Sequence, residues 1–270
     1  MRLSGFKLPV DHLSASAIGQ FLTCPEQFRQ ERIAKIPKKR FLDGFIGSVF
    51  HDTVEVNFHQ KVETKIDQTL DQQMAAYKYV WAEQIEKEGE PEWKEHPEKV
   101  EKLGAKMLTG FHSHIAPTID PIAVEQRFEE SVPGLPVPVV GYIDIEETAR
   151  INELKTAKQA VKKPKPNWRF QARVYQLFVP KPVYWTVTTK QVTPVNWTWA
   201  TAPDLVLPVG SPDQTARLMV QAAEVMNDYW ARYGPDNYWP TTGLMHTFAC
   251  EYCSAGPRNP SPSCPAWKTT

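Results

Sequence analysis

An α/β fold with a helical first half is predicted by three features of this 270-residue chain. Up to about residue 115 apolar residues recur at three and four, the period of an amphipathic helix. From residue 120 the texture changes to Val- and Ile-rich runs that alternate or stay apolar, divided by turn signals such as "PGLP" at 133–136. Hydrophobic content is 41% and no apolar run is long enough to span a bilayer, which gives a globular core without a membrane segment.

The elements follow in order. "LSASAIGQFLTCPEQFRQERIAK" places Leu13, Ile18, Phe21, Leu22 and Phe28 at helical spacing behind Ser14 or Ser16 as N-cap, so one helix is expected with Cys24 on or just past its middle. "GFIGSVFHDTVEVNFHQKV" is a second helix, with Gly47 and His51 four apart on one face. Residues 66–88 and 97–115 read as two more. "IAVEQRFEESV", "VPVVGYIDIEE" and "ARINELKTA" are three strands, and "NWRFQARVYQLF" is a helix with Gln171 and Tyr175 on one side. "PVYWTVTTK" and "PVNWTWA" add two strands, and a last helix opens at Ser211 and Pro212. There is no internal repeat.

Lys+Arg and Asp+Glu are both 31, so no whole-molecule field draws the protein to a polyanion and any such partner must be met locally. Two basic stretches are candidates, "KIPKKR" at 35–40 and "KTAKQAVKKPKPNWR" at 155–169; the plain alternative is a solvated loop. No secretory signal is visible, so an intracellular, cytoplasmic protein is expected. No G-x-x-x-x-G-K-[ST] occurs, which excludes a P-loop motor in this chain.

The four cysteines are Cys24, Cys250, Cys253 and Cys264. In a reducing compartment they favour a metal or cluster site over disulfides. Taken alone, C-x2-C-x10-C reads as part of a zinc site with His246 as a candidate fourth ligand, while four thiolates suit zinc or an iron-sulfur cluster equally.

The chemistry concentrates in "GYIDIEETARINELKTAKQ" at 141–159. Strand alternation projects Glu153 and Lys155 from one face, and the short link predicts a hairpin that brings Asp144 near Glu153. Two carboxylates so close suit a divalent cation, Mg2+ or Mn2+, which polarises a phosphoryl oxygen while Lys155 orients water or offsets charge on a pentavalent phosphorus. The bland reading is a surface hairpin whose ion pair contributes under about 1 kcal/mol. Glu125, on the preceding strand, is either a supporting acid or an exposed carboxylate. Trp168 either stacks on an unpaired base or packs in the core. His112 and His114 read as structural, and His12, His59 and His96 as surface residues.

"GYIDI…INELKT" followed by "QARVYQL" resembles the PD-(D/E)xK nuclease superfamily in its RecB-like branch, and "GSVFH" resembles that branch's upstream G-x-x-x-H. "CPEQF" together with three cysteines after the last helix is similar to the subgroup with a 4Fe-4S cluster, which includes CRISPR-adaptation nucleases and the nuclease domain of AddB-type helicase-nucleases. The resemblance implies a restriction-endonuclease-like core, a central mixed sheet flanked by helices, with a helical N-terminal lobe and a C-terminal Fe-S cysteine tail. Its implied organisation is lobe 1–116, nuclease core 117–205, and helix plus tail 206–270.

It further implies that His51, Asp144, Glu153 and the Leu154 carbonyl hold the metal and that Lys155 is the catalytic lysine. Gln171 and Tyr175 would contact the DNA backbone or the active-site water. Cys24, Cys250, Cys253 and Cys264 would hold the cluster. The family usually carries Asp where this chain has Glu153, and the last two cysteines lie farther apart than its pattern. The implied activity is that of a metal-dependent DNA nuclease, an exonuclease preferring single-stranded ends. Its partners would be DNA and a separate helicase, recombination or CRISPR-adaptation protein, and a phage origin is equally compatible. The rivals are a non-catalytic nucleic-acid-binding or assembly subunit and an endonuclease or end-trimming factor.

Overall fold

The first helix, α1 (Ala15–Thr23), starts where the Ser14 hydroxyl accepts the Ala17 N–H at 3.1 Å. The structure, a computed structural model, describes residues 6–37, 40–161, 163–190, 196–198, 206–241, 250 and 253. The single helix expected across Cys24 is instead broken there. Pro25 disfavours the helical region for the residue before it, and Cys24 is extended, with φ −156° and ψ 104°. Cys24 therefore ends α1 and precedes α2 (Pro25–Phe28), which runs into a wide turn over Arg29–Ile33.

Three long helices follow: α3 (Leu42–Thr64), α4 (Leu70–Glu88) and α5 (Pro97–His114). Thr69 and Gln72 form a reciprocal capping box at the start of α4, and Pro97 occupies the first turn of α5. Phe45, Val49, Phe50 and Phe58 of α3 pack with Met107, Leu108 and Phe111 of α5 against Ile145 and Leu154 of the sheet. His112 Nε2 lies 2.7 Å from the Gln68 carbonyl and ties α5 to the start of α4; His12, His59, His96 and His114 are exposed. Arg40, from the first basic stretch, is committed to the carbonyls of Gln84 and Gly89 and to the Phe45 ring.

The strands are β1 (Pro121–Glu130), β2 (Val139–Glu147), β3 (Ile151–Ala157), β4 (Val183–Thr189), β5 (Asn196–Thr198) and β6 (Val206–Leu207), with α6 (Pro166–Tyr175) between β3 and β4 and α7 (Pro212–Tyr233) after β6. The sheet order is β1-β2-β3-β4-β5, and β6 also pairs with β4. Only β3 and β4 are parallel among the described pairs, joined by the α6 crossover; β1–β2, β2–β3, β4–β5 and β4–β6 are antiparallel. This is the expected restriction-endonuclease-like architecture, a mixed sheet flanked by helices. The two-residue β6 was not anticipated, because so short a pairing leaves no period in the sequence.

On the α6 side, Ile151, Val183, Trp185 and Val187 pack against Trp168, Ala172 and Tyr175. A third core joins α1 to α7 through Ile18, Phe21, Met219 and Met226 and includes Trp239. Beside it Glu26, 1% exposed, receives two hydrogen bonds from Arg29, one from Gln30 and the backbone N–H of Trp239 at 2.8 Å. The Trp239 ring stacks on Phe28. The segment after α7 is thereby fastened onto the helix that begins just past Cys24. Among the described residues no helix is long and apolar enough to cross a membrane.

Candidate active site

In the β2–β3 hairpin Ile145 pairs with Asn152 and Glu146 with Ile151, a register that sets Asp144 opposite Glu153. The backbone ladder stops there. Asp144 Oδ2 instead accepts the Leu154 N–H at 2.7 Å, so a carboxylate occupies the place of the neighbouring strand's carbonyl. Glu153 is 2% exposed; its Oε1 takes the Lys155 ammonium, whereas its buried Oε2 has no hydrogen-bond partner. An ionised oxygen without a donor in such a place is costly unless a cation meets it.

The electrostatics follow from that burial. Glu153 is pushed up to about 7 by burial and by Asp144, with Lys155 opposing. Burial also raises Asp144, against the Lys155 charge and the Leu154 hydrogen bond. Burial disfavours the Lys155 ammonium, yet Glu153 and Asp144 hold its pKa above the usual value. His51 Nδ1 stands 4.0 Å from Asp144 Oδ2; burial, then Lys155, lowers its pKa to about 4, which leaves a neutral imidazole with a free lone pair near neutral pH.

Glu125 completes the row. Its neighbours Val124 and Gln126 pair with Ile145 and Ile143, so Glu125 faces Asp144. It has φ +46°, a left-handed conformation inside a strand that costs a non-glycine residue about 1–3 kcal/mol. It is half-buried, and burial, then Asp144, raises its carboxyl to about 8.

Two glycines set the spacing. A Cβ at Gly47 would lie 3.1 Å from the Thr156 hydroxyl, so glycine lets α3 approach β3 and carry His51, one turn on, to the carboxylates. A Cβ at Gly141 would sit 2.4 Å from the Phe128 ring, which folds over the strand three residues before Asp144. From α6, Gln171 donates to the Tyr175 hydroxyl at 2.6 Å, and burial holds that phenol well above its usual pKa.

His51, Asp144, Glu153, Lys155, Gln171 and Tyr175 all line one cleft of about 400 Å³. Its other wall was not foreseen: His12, Ser14 and Ser16 at the start of α1, with Tyr142, 49% exposed, on β2. The signal for the α1 wall was Ser14 itself, since an N-cap marks where backbone N–H groups and the positive helix end are presented. Trp168 is 7% exposed with the Lys165 ammonium over its ring, so it packs and does not stack on a base.

Among the described residues no three His, Cys, Asp or Glu are already arranged to hold a metal ion. The donors nonetheless fit a hard divalent cation: two facing carboxylates, one with an orphaned buried oxygen, and a neutral imidazole beside them. Cys24 and Cys250 are buried and Cys253 is half-buried, its N–H donating to the Cys250 carbonyl at 3.2 Å. Thiolates are the donors that soft metals and iron-sulfur clusters take, but among the described residues these three cysteines form no metal-holding group. Cys264 and His246 lie outside the described residues.

The model of a family described as the PD-(D/E)XK nuclease superfamily matches residues 12–258. No curated protein matches the chain. Among solved structures, it is similar to one described as a "Putative exonuclease" from Eubacterium rectale, with TM-score 0.45, 13% identity, and 82% of this chain and 79% of that chain covered. Another is described as SSO0001, with TM-score 0.36, 14% identity, and 93% and 98% covered.

Proposed function

The chain belongs to the PD-(D/E)XK nuclease superfamily, and from that premise we propose that it is a divalent-metal-dependent DNA nuclease, an exonuclease that prefers single strands and carries a structural 4Fe-4S cluster. The observation that carries the reading is Glu153: a buried carboxylate facing Asp144 and ion-paired to Lys155 through one oxygen, with the other oxygen unpartnered. Asp144, Glu153, the Leu154 carbonyl and His51 would hold Mg2+ or Mn2+. Bound there, the cation supplies a Lewis acid for the phosphoryl oxygen and acidifies water.

The residues of the chain then divide the work. Hydrolysis joins a water oxygen to phosphorus as the bond to the leaving sugar oxygen breaks, so negative charge grows on the phosphoryl oxygens. Lys155, held charged by Glu153 and Asp144, orients the water and offsets that charge. Tyr175 accepts its hydrogen bond from Gln171, which leaves the phenol proton free to donate to a phosphate oxygen. A cleft of about 400 Å³ between α1 and α6 admits a nucleotide of a single strand more readily than a duplex.

The cluster reading is supported by how the chain returns. The Trp239 backbone and ring are anchored on Glu26 and Phe28, two and four residues past Cys24. The cluster would be a staple and take no part in hydrolysis.

Cleavage of end-labelled single- and double-stranded DNA with Mg2+ or Mn2+, with EDTA as control, tests the activity; metal-independent cutting, or none under any cation, refutes it. Anaerobically purified protein should be brown and contain iron. Colourless protein with one zinc would replace the cluster by a zinc site.

A further inference from the structure

The two sides of α6 differ. Gln171 and Tyr175 face the cleft, whereas Arg169 and Arg173, spaced i and i+4, project from the opposite side of the helix. Arg173 lies against Gly210, where a Cβ would fall 2.1 Å from its Nη1; that nitrogen donates to the Pro208 carbonyl at 2.7 Å and to the Gln176 side chain at 2.8 Å. So fixed, Arg173 edges a hollow of about 740 Å³ between α6 and the start of α7, together with Phe170, Ser211, Gln214 and Arg217. Among the described residues no carboxylate lines this hollow. Burial, then Arg169, lowers the Arg173 pKa, as expected of guanidinium groups placed near one another without an acid between them.

The cations continue back to the catalytic centre. Lys158 follows the end of β3, three residues after Lys155, and Lys163 and Lys165 stand in the connection to α6; all three are exposed, as are Arg169 and Arg217. Among the described residues none of these six cations is in an ion pair, although Arg29, Arg150, Lys181 and others are paired with acids. In a chain with 31 basic and 31 acidic residues, six cations outside any ion pair are a selective concentration of charge, even with Asp213 one turn from Arg217 on α7. In chain order the cations run from the end of β3 through the connection and along α6 to α7, a succession that suits a polymer of phosphates better than a single small anion.

We propose that Lys158, Lys163, Lys165, Arg169, Arg173 and Arg217 form a phosphate track that carries a DNA strand from the Lys155 end of the cleft, around the N-terminal end of α6, into the hollow between α6 and α7. The proposal rests on the nuclease reading only in that the strand it holds is the one cut in the cleft. Lys155 begins the track and closes the catalytic site, so binding along the basic connection positions the chain for attack.

Fluorescence anisotropy tests it in EDTA, with a labelled single-stranded 20-mer and a trinucleotide, over a range of salt. Arg169→Gln/Arg217→Gln and, separately, Lys163→Gln/Lys165→Gln change exposed side chains. Each pair should weaken the 20-mer about tenfold at low salt and flatten the slope of log K against log salt by about 1.4, at about 0.7 per phosphate contact on single strands. Trinucleotide affinity should be unaffected. A slope and affinity like those of the unaltered protein in both variants overturn the track, as does unaltered protein that fails to bind the 20-mer. Cleavage by the unaltered protein is scored in parallel with Mg2+: binding that weakens in the variants without any cutting sustains the track and refutes the nuclease reading, whereas cutting with unchanged variant binding does the reverse.

Discussion

Asp144 Oδ2 accepts the backbone N–H of Leu154 at 2.7 Å, so one carboxylate both closes the hairpin and faces Glu153. The two duties separate by substitution. Asp144→Asn retains an acceptor oxygen and should fold with a melting temperature near that of the unaltered protein. Its lost charge should lower cleavage about 10²–10³-fold. Asp144→Ala should lose cleavage too, but it also strands a buried N–H at a cost of about 1–3 kcal/mol, seen as a lower melting temperature. Equal melting temperatures for the two variants would contradict the structural half of this account.

Lys155 is the cation that offsets the paired acids. Lys155→Met should lower cleavage about 10²–10³-fold, and in metal-free protein it should push the Glu153 carboxyl higher still, since an opposing charge has gone. Wild-type cleavage by this variant would end the proposed mechanism. Titration of the carboxyl by isotope-edited infrared or NMR spectroscopy reads the second effect.

Glu153 and Glu125 should each lower the stability of the metal-free protein as pH rises, whereas His51, lowered to about 4 from 6.5, adds stability only up to its ordinary value. Glu153 and Glu125 rise to about 7 and about 8 from an ordinary 4.5, so the unfolded chain releases these protons first. Their contribution is present below about 4.5 and is lost as pH climbs through 7 and 8. Between pH 5.5 and 8.5 the melting temperature should drop by about a few degrees more in the unaltered protein than in Glu125→Gln. Saturating Mg2+ or Mn2+ should restore most of the loss, because a cation replaces the released protons.

Gly47→Val should impair the site without touching a reacting group. The added side chain meets Thr156 and drives α3 from β3, which withdraws His51. The expected signature is a higher Mn2+ concentration for half-maximal cleavage with the far-ultraviolet circular dichroism intact. An unchanged metal requirement would show that His51 does not depend on this close approach.

Glu26 and Cys24 should fail differently. Glu26→Ala leaves Arg29 buried without its carboxylate, at a cost of about 3–5 kcal/mol, and lowers the melting temperature whether or not the cysteines are loaded. Cys24→Ala should first lower iron content and visible absorbance, and stability through that loss. Iron content unchanged in Cys24→Ala would remove it from the proposed ligand set.

How much of this was legible in the sequence depends on how local each cause is. The hairpin holding Asp144 and Glu153 was readable because a short link and a two-residue period fix its register. The Ser14 cap was readable for the same reason, and the break at Cys24 should have been, since Pro25 acts on its immediate neighbour. The convergence of His51 and Gln171 on that hairpin rested on resemblance, for no periodicity brings α3 and α6 to one cleft. Ser14 marked a helix start, but that this start forms a wall of the cleft with His12 and Ser16 was not readable, because only tertiary packing turns it toward the carboxylates. β6 was too short to leave a pattern, and the burial of Trp168 is decided by the sheet it covers.

The left-handed backbone of Glu125 sets activity and durability against each other. A glycine at that position adopts the same φ without strain, and Glu125→Gly relieves a conformation worth about 1–3 kcal/mol while removing a half-buried acid. The variant should be harder to melt. If Glu125 supports the metal it should also be a poorer nuclease, so that selection for thermal endurance and selection for cutting would pull this one position in opposite directions.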